Sequence, residues 1–270
     1  MELPDWVPAT MDVSKPSPAR MYDYYLGGTH NFEVDRDAAE RAIAAMPYTI
    51  QGARGNRDFL RRAVRLLVDA GIHQLLDLGS GIPTVGNVHE VAQRRDPTTR
   101  VVYVDIDPVA VAHSTAILRH NHLAGVLQAD MRDVDAVLSH PRVRDLIDFS
   151  EPVGLIMASV LHFVPDSSKP ADIVAAYRDA VPTGSHLVLS HIGSNEEPGN
   201  RTGMLADFKA VYQNTTNPVV LRTRPQIEAF FDGFSLLEPG VTLVHQWRPD
   251  ADQELPAKLP PGYGGVGVKP

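Results

Sequence analysis

The sequence predicts a doubly wound α/β fold: a mostly parallel sheet of seven strands with a C-terminal antiparallel hairpin, preceded by an N-terminal helical lid. Three observations predict it. First, two apolar runs, Leu75-Leu76-Asp77-Leu78 and Val101-Val102-Tyr103-Val104, carry an acidic residue within or just after them, Asp77 and Asp105. The first enters the turn Gly79-Ser80-Gly81, and the segment between the runs is long enough for one helix. Strand, tight turn, crossover helix and a second strand ending in a carboxylate form the unit that holds an adenosine-containing cofactor at the carboxyl edge of a parallel sheet. Second, from residue 72 onward short apolar runs alternate with helical segments, the pattern of parallel strands covered on both faces. Third, Phe234 to Trp247 reads as two strands joined at Pro239-Gly240, a hairpin.

Taken in order, residues 1–19 are rich in proline and read as an irregular arm, with Trp6 as its anchor. Ala19 to Leu26 reads as a helix stopped by Gly27-Gly28, and Asp35 to Met46 as a second helix ended by Pro47. A third, capped by Asn56 or Asp58, runs to Ala70 and stops at Gly71. Residues 20–70 therefore make the lid. Strands are expected at Gln74–Leu78, Arg100–Val104, Gly125–Leu127, Val153–Ala158 and His186–His191. Helices are expected near Val85–Arg95, Pro108–Asn121, Asp133–Leu138 and Pro170–Ala180, then at Arg201–Tyr212 and Arg224–Phe231. The core spans 71–248, and 249–270 reads as a loose tail rich in proline and glycine. All of this is one domain, 1–270.

Composition narrows the function classes. With no cysteine in 270 residues, disulfides, thiolate metal sites and a cysteine nucleophile are excluded. No stretch approaches the roughly 18 uninterrupted apolar residues of a membrane span. The first residues lack the basic and apolar regions of a secretory leader, so a cytoplasmic protein is expected. A net charge of −8 argues against nucleic acid as a partner. One basic segment stands out, with Arg54, Arg57, Arg61, Arg62 and Arg65 close together. Arg57, Arg61 and Arg65 share a helix face. A solvated face explains most of it; Arg54 or Arg57 is the one to reach a cofactor or an acidic substrate. His113, His120 and His122 lack an acidic partner at ligand spacing, so no metal is expected.

The glycine turn discriminates between cofactors. A dinucleotide site wants a third glycine where this chain has Thr84, preceded by Pro83. A Walker loop needs a lysine after the turn, and none is there. Asp77-x-Gly79-x-Gly81 resembles the first motif of the class I S-adenosylmethionine-dependent methyltransferases. Asp105, 24 residues past Gly81, matches the carboxylate that accepts the ribose hydroxyls there. Gln128-Ala129-Asp130-Met131 resembles the adenine-contacting motif, and Ser159-Val160-Leu161-His162-Phe163-Val164-Pro165 the loop that covers the cofactor and opens toward the acceptor. Arg20-Met21-Tyr22-Asp23-Tyr24-Tyr25-Leu26-Gly27-Gly28, Asn56-Arg57, Val88-His89-Glu90-Val91 and Glu238-Pro239-Gly240 make the resemblance narrower. Together these segments look like one actinobacterial family of S-adenosyl methyltransferases of unassigned substrate, matched over about 16–249. A usage of 20 Arg to 5 Lys suits a GC-rich genome.

The resemblance implies a Rossmann-like sheet and S-adenosylmethionine as cofactor, with S-adenosylhomocysteine as product. It implies cofactor contacts from Asp77, Gly79, Gly81, Asp105, Ile106, Asp130, Met131, Ser159, Tyr22 and Arg57. An aromatic ring such as that of Tyr22 stabilises a sulfonium through its quadrupole. Asp107, followed by Pro108, reads instead as the cap of the next helix. Methyl transfer is an in-line displacement in which positioning supplies much of the acceleration, and a base is needed only for a protonated acceptor. His162 is the candidate for that base, and His191 a weaker one. A small-molecule acceptor is expected, with a non-catalytic regulator that senses the cofactor as the alternative.

Overall fold

A computed structural model describes residues 14–83, 86–194, 201–251 and 261–270, with the backbone alone at 201 and 202. Trp6, Thr84, Val85 and most of the expected arm lie outside the described residues. The sheet begins with β1 (Gln74–Leu78), β2 (Arg100–Asp105) and β3 (Ala124–Gln128), followed by β4 (Gly154–Ala158) and β5 (His186–Ile192). These five run parallel. Three antiparallel additions follow, β6 (Ser235–Leu236), β7 (Thr242–Leu243) and β8 (Gly262–Val268). The order is β3-β2-β1-β4-β5-β8-β6, with β7 also paired to β8. Strand order reverses between β1 and β4, which opens a crevice at their carboxyl ends.

Strands β1, β2, β4 and β5 are buried on both faces along most of their length, and alternate side chains feed two separate cores. Leu76, Leu78, Val102, Val104, Leu155 and Leu187 point to one core. Leu75, Val101, Tyr103, Ile156 and Val188 point to the other. Helices cover both faces. Before the sheet come α1 (Pro18–Tyr25), α2 (Glu33–Ala45) and α3 (Thr49–Asp69). Between strands lie α4 (Val88–Arg95), α5 (Pro108–Ile117), α6 (Val134–Ser139), α7 (Pro141–Leu146) and α8 (Pro170–Asp179). Then α9 (Arg201–Tyr212) and α10 (Arg224–Glu228) precede the antiparallel strands. The unforeseen α7 starts at a proline in the first helical position, capped by the His140 ring.

Two expectations need correction. The third helix starts at Thr49 rather than at Asn56 or Asp58, so Asn56 lies inside α3. Gly52 and Gly55 lower the helix propensity of that first stretch, and tertiary contacts hold it instead; Tyr22 donates to the Ala53 carbonyl at 3.0 Å. The expected hairpin within 234–247 does not form. Its two short strands pair with β8, from the segment expected to be a loose tail. Four of the seven β8 residues are glycine, which normally weakens a strand. Here space demands them: a Cβ at Gly264 would sit 2.9 Å from Phe59, and one at Gly267 2.9 Å from Phe234.

Within the segment expected as a lid, α3 is anchored on the sheet from Phe59 onward, through Leu60, Ala63, Val64 and Leu67. Buried Arg62 donates to the carbonyls of Val244 (2.7 Å) and Trp247 (3.0 Å). In contrast, α1, α2 and the start of α3 join α9 in a small separate core of Met21, Tyr25, Ala38, Ala42, Phe208 and Tyr212. No helix among the described residues is long and apolar enough to cross a membrane.

Candidate functional site

The turn after β1 sets the geometry. Gly79 and Gly81 have φ of +74° and +66°, values that glycine adopts without strain. Gly79 is confined as well, since a Cβ there would lie 2.1 Å from Val160 in the loop after β4. The Gly81 N–H donates to Asp105 Oδ2 at 2.6 Å, and the Asp107 N–H to Asp105 Oδ1 at 2.8 Å. One carboxylate thus ties the glycine turn to the end of β2.

Asp107 joins the core to the helices above it. Its Oδ1 caps α5 by accepting from the Val109 N–H at 2.8 Å. Its Oδ2 accepts from Ser17 Oγ at 2.6 Å and lies 3.5 Å from the Arg20 guanidinium. Arg20 in turn forms a buried 2.8 Å ion pair with Asp35, which also accepts from the Ser17 N–H at 2.8 Å. Buried charges of this kind are tolerated only when paired and hydrogen-bonded, and here the pairing fixes α1 and α2 over the end of β2.

A cavity of about 650 Å³ lies between these helices and the carboxyl edge of the sheet, within the usual range of about 300–1,000 Å³ for small-molecule sites. The ten candidate cofactor residues and His162 all line it. Asp77, Gly79 and Gly81 come from β1 and its turn, Asp105 and Ile106 from the end of β2, Asp130 and Met131 from the loop after β3. Ser159 follows β4, and Tyr22 and Arg57 reach in from α1 and α3. Ile106 is an apolar side chain left 50% exposed beside the cavity. Asp130 is engaged by the Arg132 guanidinium through both oxygens. Ser159 has φ of +57°, and its N–H donates to Ser190 Oγ at 3.0 Å.

Burial dominates the electrostatics. It pushes the Asp77 carboxyl up to about 7, against the pull of Arg57 and with a further push from Asp105. The same burial raises Asp105 to about 6, although the N–H groups of Asp107 and Gly81 favour its charge. His162 is held well below the usual imidazole range by burial, then by His191 and Arg222. Burial takes His191 down to about 3 despite its bond to the Ile192 carbonyl.

The arginine segment divides. Arg57 is buried and lines both the main cavity and a neighbouring one that Arg54 and Arg61 also line. At the surface, Arg61 pairs with Asp58 at 2.8 Å and Arg65 with Asp250 at 2.7 Å. His113 lies against His30, with ring centroids 3.5 Å apart and the planes tilted by 34°. Among the described residues no cluster of three metal-ligating side chains occurs.

Sequence reasoning missed several residues of the site. Asn56 donates to Tyr22 Oη at 3.0 Å and accepts from Ser190 Oγ at 2.6 Å. Its signal was a polar residue on the apolar stripe that continues through Leu60, Ala63 and Leu67. Phe208 and Tyr212, four apart on α9, supply an aromatic wall. Arg222, buried, donates to the carbonyls of Leu161 and Val164, both at 2.9 Å, and so shapes the loop after β4. Nothing local in the sequence marks that role.

Comparison with known proteins identifies the family and agrees with the fold. The sequence profile of the S-adenosyl methyltransferase family matches residues 4–270. A crystal structure of a candidate methyltransferase from Thermobifida fusca is 41% identical, with a TM-score of 0.90, covering 98% of this chain and 99% of that one. A DUF574 family protein from Streptomyces avermitilis is 36% identical, with a TM-score of 0.90, covering 96% and 99%. The human N-acetylserotonin methyltransferase, solved in complex with S-adenosylmethionine, is similar in fold alone, at 12% identity and a TM-score of 0.51 over 92% of this chain and 62% of that one. No curated protein matches the sequence significantly. With the mostly parallel sheet, the glycine turn and the acidic strand ends in place, the chain belongs to the S-adenosyl methyltransferase family.

Proposed function

We propose that the protein transfers the methyl group of S-adenosylmethionine to a small-molecule acceptor held under α1 and α9, beside the carboxyl ends of β4 and β5. The carrying observation is the shape and lining of the main cavity. Carboxylates and glycines from β1 to β3 line one part, and a mostly aromatic chamber from α1, α9 and the loop after β4 adjoins it.

The residues fit the cofactor. Asp77 is 4% exposed and its carboxylate accepts no hydrogen bond from the described residues, a costly state for a charge unless a cation is brought to it. The ammonium of the methionine moiety is such a cation. Asp105, already aligned by two backbone N–H groups, is set to take the ribose hydroxyls. Ile106 offers an apolar surface to the adenine, and Tyr22 a ring to the sulfonium. When bound, the cofactor supplies an electrophilic methyl group. The chain's own residues then hold the acceptor in line with the S–CH3 axis and exclude water, the two effects on which such a displacement depends.

The net negative charge and the cavity of about 650 Å³ favour a compact acceptor over nucleic acid. Calorimetry against S-adenosylmethionine, S-adenosylhomocysteine and NAD is the first test, with binding of the two S-adenosyl ligands expected. NAD binding without a response to either would overturn the reading. Transfer of labelled methyl groups to a small molecule in extract is the second. Tight cofactor binding with no labelled product would favour a regulator that senses the cofactor.

A further inference from the structure

The chamber beside the cofactor motifs can be accounted for proton by proton. All four described carboxylates that line the cavity, Asp77, Asp105, Asp107 and Asp130, lie at or just beyond the carboxyl ends of β1, β2 and β3. Toward β4 and β5 the described titratable groups are tyrosines and histidines. Tyr22 Oη gives its proton to the Ala53 carbonyl and accepts from Asn56. Ser190 gives its proton to Asn56 and accepts from the Ser159 N–H. Tyr25 and Tyr212 share one hydrogen bond of 3.0 Å, so one O–H of the pair remains to donate.

The histidines are set by a single residue, Ile192. Its carbonyl takes the Nδ1–H of His191 at 2.7 Å, and His191 Nε2 faces an Arg222 guanidinium at 2.8 Å. A guanidinium only donates, so both nitrogens of His191 are committed. The Ile192 N–H donates to His162 Nδ1 over a long 3.4 Å. That leaves the His162 proton on Nε2, which makes no hydrogen bond to the described residues while the ring lines the cavity. The described chamber therefore offers donors to a ligand, and no titratable base with an open lone pair. Its walls are aromatic: Phe163 and Phe208 flank Tyr212, at 5.9 and 4.8 Å between ring centroids.

We infer that the acceptor is a planar unsaturated molecule methylated at a nitrogen that already carries a free lone pair at neutral pH, an aryl amine or ring nitrogen, and that His162 binds a second, hydrogen-bond-accepting atom of it through Nε2–H. The inference rests on the methyl-transfer reading above. Transfer forms an N–CH3 bond as the S–CH3 bond breaks, with the electron pair staying on sulfur. An amine nitrogen then releases its surplus proton to water. A hydroxyl acceptor would forgo the assistance of a general base, on the order of 10²-fold or more in rate. His162 is thus a binding residue rather than the base that the sequence suggested.

Two measurements test this. Protein labelled with 15N-histidine and saturated with S-adenosylhomocysteine should show His162, assigned with His162→Gln, as the neutral Nε2–H tautomer from pH 6 to 8. An Nδ1–H tautomer or an imidazolium there overturns the inference. In competition between 6-aminoquinoline and 6-hydroxyquinoline with labelled S-adenosylmethionine, N-methyl product should exceed O-methyl product by about 10²-fold. Equal or greater O-methylation overturns it. If S-adenosylhomocysteine itself fails to bind, the proposed function fails, which calorimetry distinguishes from a wrong acceptor class.

Discussion

Cofactor affinity should depend on pH through Asp77. Burial holds its carboxyl up near 7, from an ordinary 3.8. At about 1.4 kcal/mol per pH unit, ionising it in the ligand-free fold costs on the order of 4 kcal/mol. The sign follows. The folded chain keeps a proton that the unfolded chain has lost between about pH 4 and 7, so the ligand-free protein loses stability as pH rises through that window. A cofactor ammonium beside the carboxylate reverses the preference and drives the proton off. Affinity for S-adenosylmethionine should therefore be full above about pH 7 and fall by up to about tenfold per pH unit below it. Asp105, raised to about 6, steepens the fall at the acid end. Calorimetry at pH 6.5, in buffers of different ionisation enthalpy, should count roughly one proton released per cofactor bound. Asp77→Asn should abolish that release, weaken binding by about 1.5–3 kcal/mol, and stabilise the ligand-free protein at pH 8. Affinity that stays flat from pH 6 to 8, with no proton released, would refute the placement of a cation against Asp77.

Three further outcomes are expected. Asp105→Ala should weaken cofactor binding by tenfold or more through lost charge-assisted bonds, whereas Asp107→Ala should chiefly lower stability, by about 2–4 kcal/mol for a helix cap and a buried ion-pair partner. Calorimetry and urea unfolding separate the two, and matching profiles would show that their roles are misassigned. Gly79→Ala should reduce cofactor affinity and cost more than about 1 kcal/mol of stability, because it adds strain at positive φ and a clash with Val160; wild-type behaviour in both assays would count against the turn geometry. Hydrogen exchange in residues 17–46 should slow when S-adenosylhomocysteine binds, while α3 beyond Phe59 stays unchanged. Slowing confined to the strand ends would make α1 and α2 fixed walls rather than a lid.

The part of the candidate site that the strand ends line was legible because its signals are local. Asp77, Gly79, Gly81, Asp105 and Asp130 each sit at a strand end or in the turn that follows, and a strand end can be read from a few neighbours. The five parallel strands were found within a residue or so for the same reason. What escaped depends on distant contacts. Ser17 and Arg20 gain meaning only from Asp107 and Asp35, and Arg222 only from the loop after β4. The start of α3 was obscured by Gly52 and Gly55, whose cost is met by packing that no local window reveals. His162 was placed at the right loop, but its tautomer is set by the backbone of Ile192, thirty residues away.

The position of β8 bears on how the molecule is made. It is translated after every other described strand, yet it lies between β5 and β6 and pairs with β5 along seven residues. Until it arrives, β5 is an open edge with unsatisfied backbone groups, an invitation to pair with another nascent chain. Neither β6 nor β7 can cover that edge, since both are held in the sheet only through β8. The β3-β2-β1-β4-β5 part can form while synthesis continues, but completion of the sheet waits for Gly262–Val268. A chain that stops short of Gly262 would therefore lack an interior strand, and a ribosome that pauses before it leaves its product with an open edge prone to aggregate.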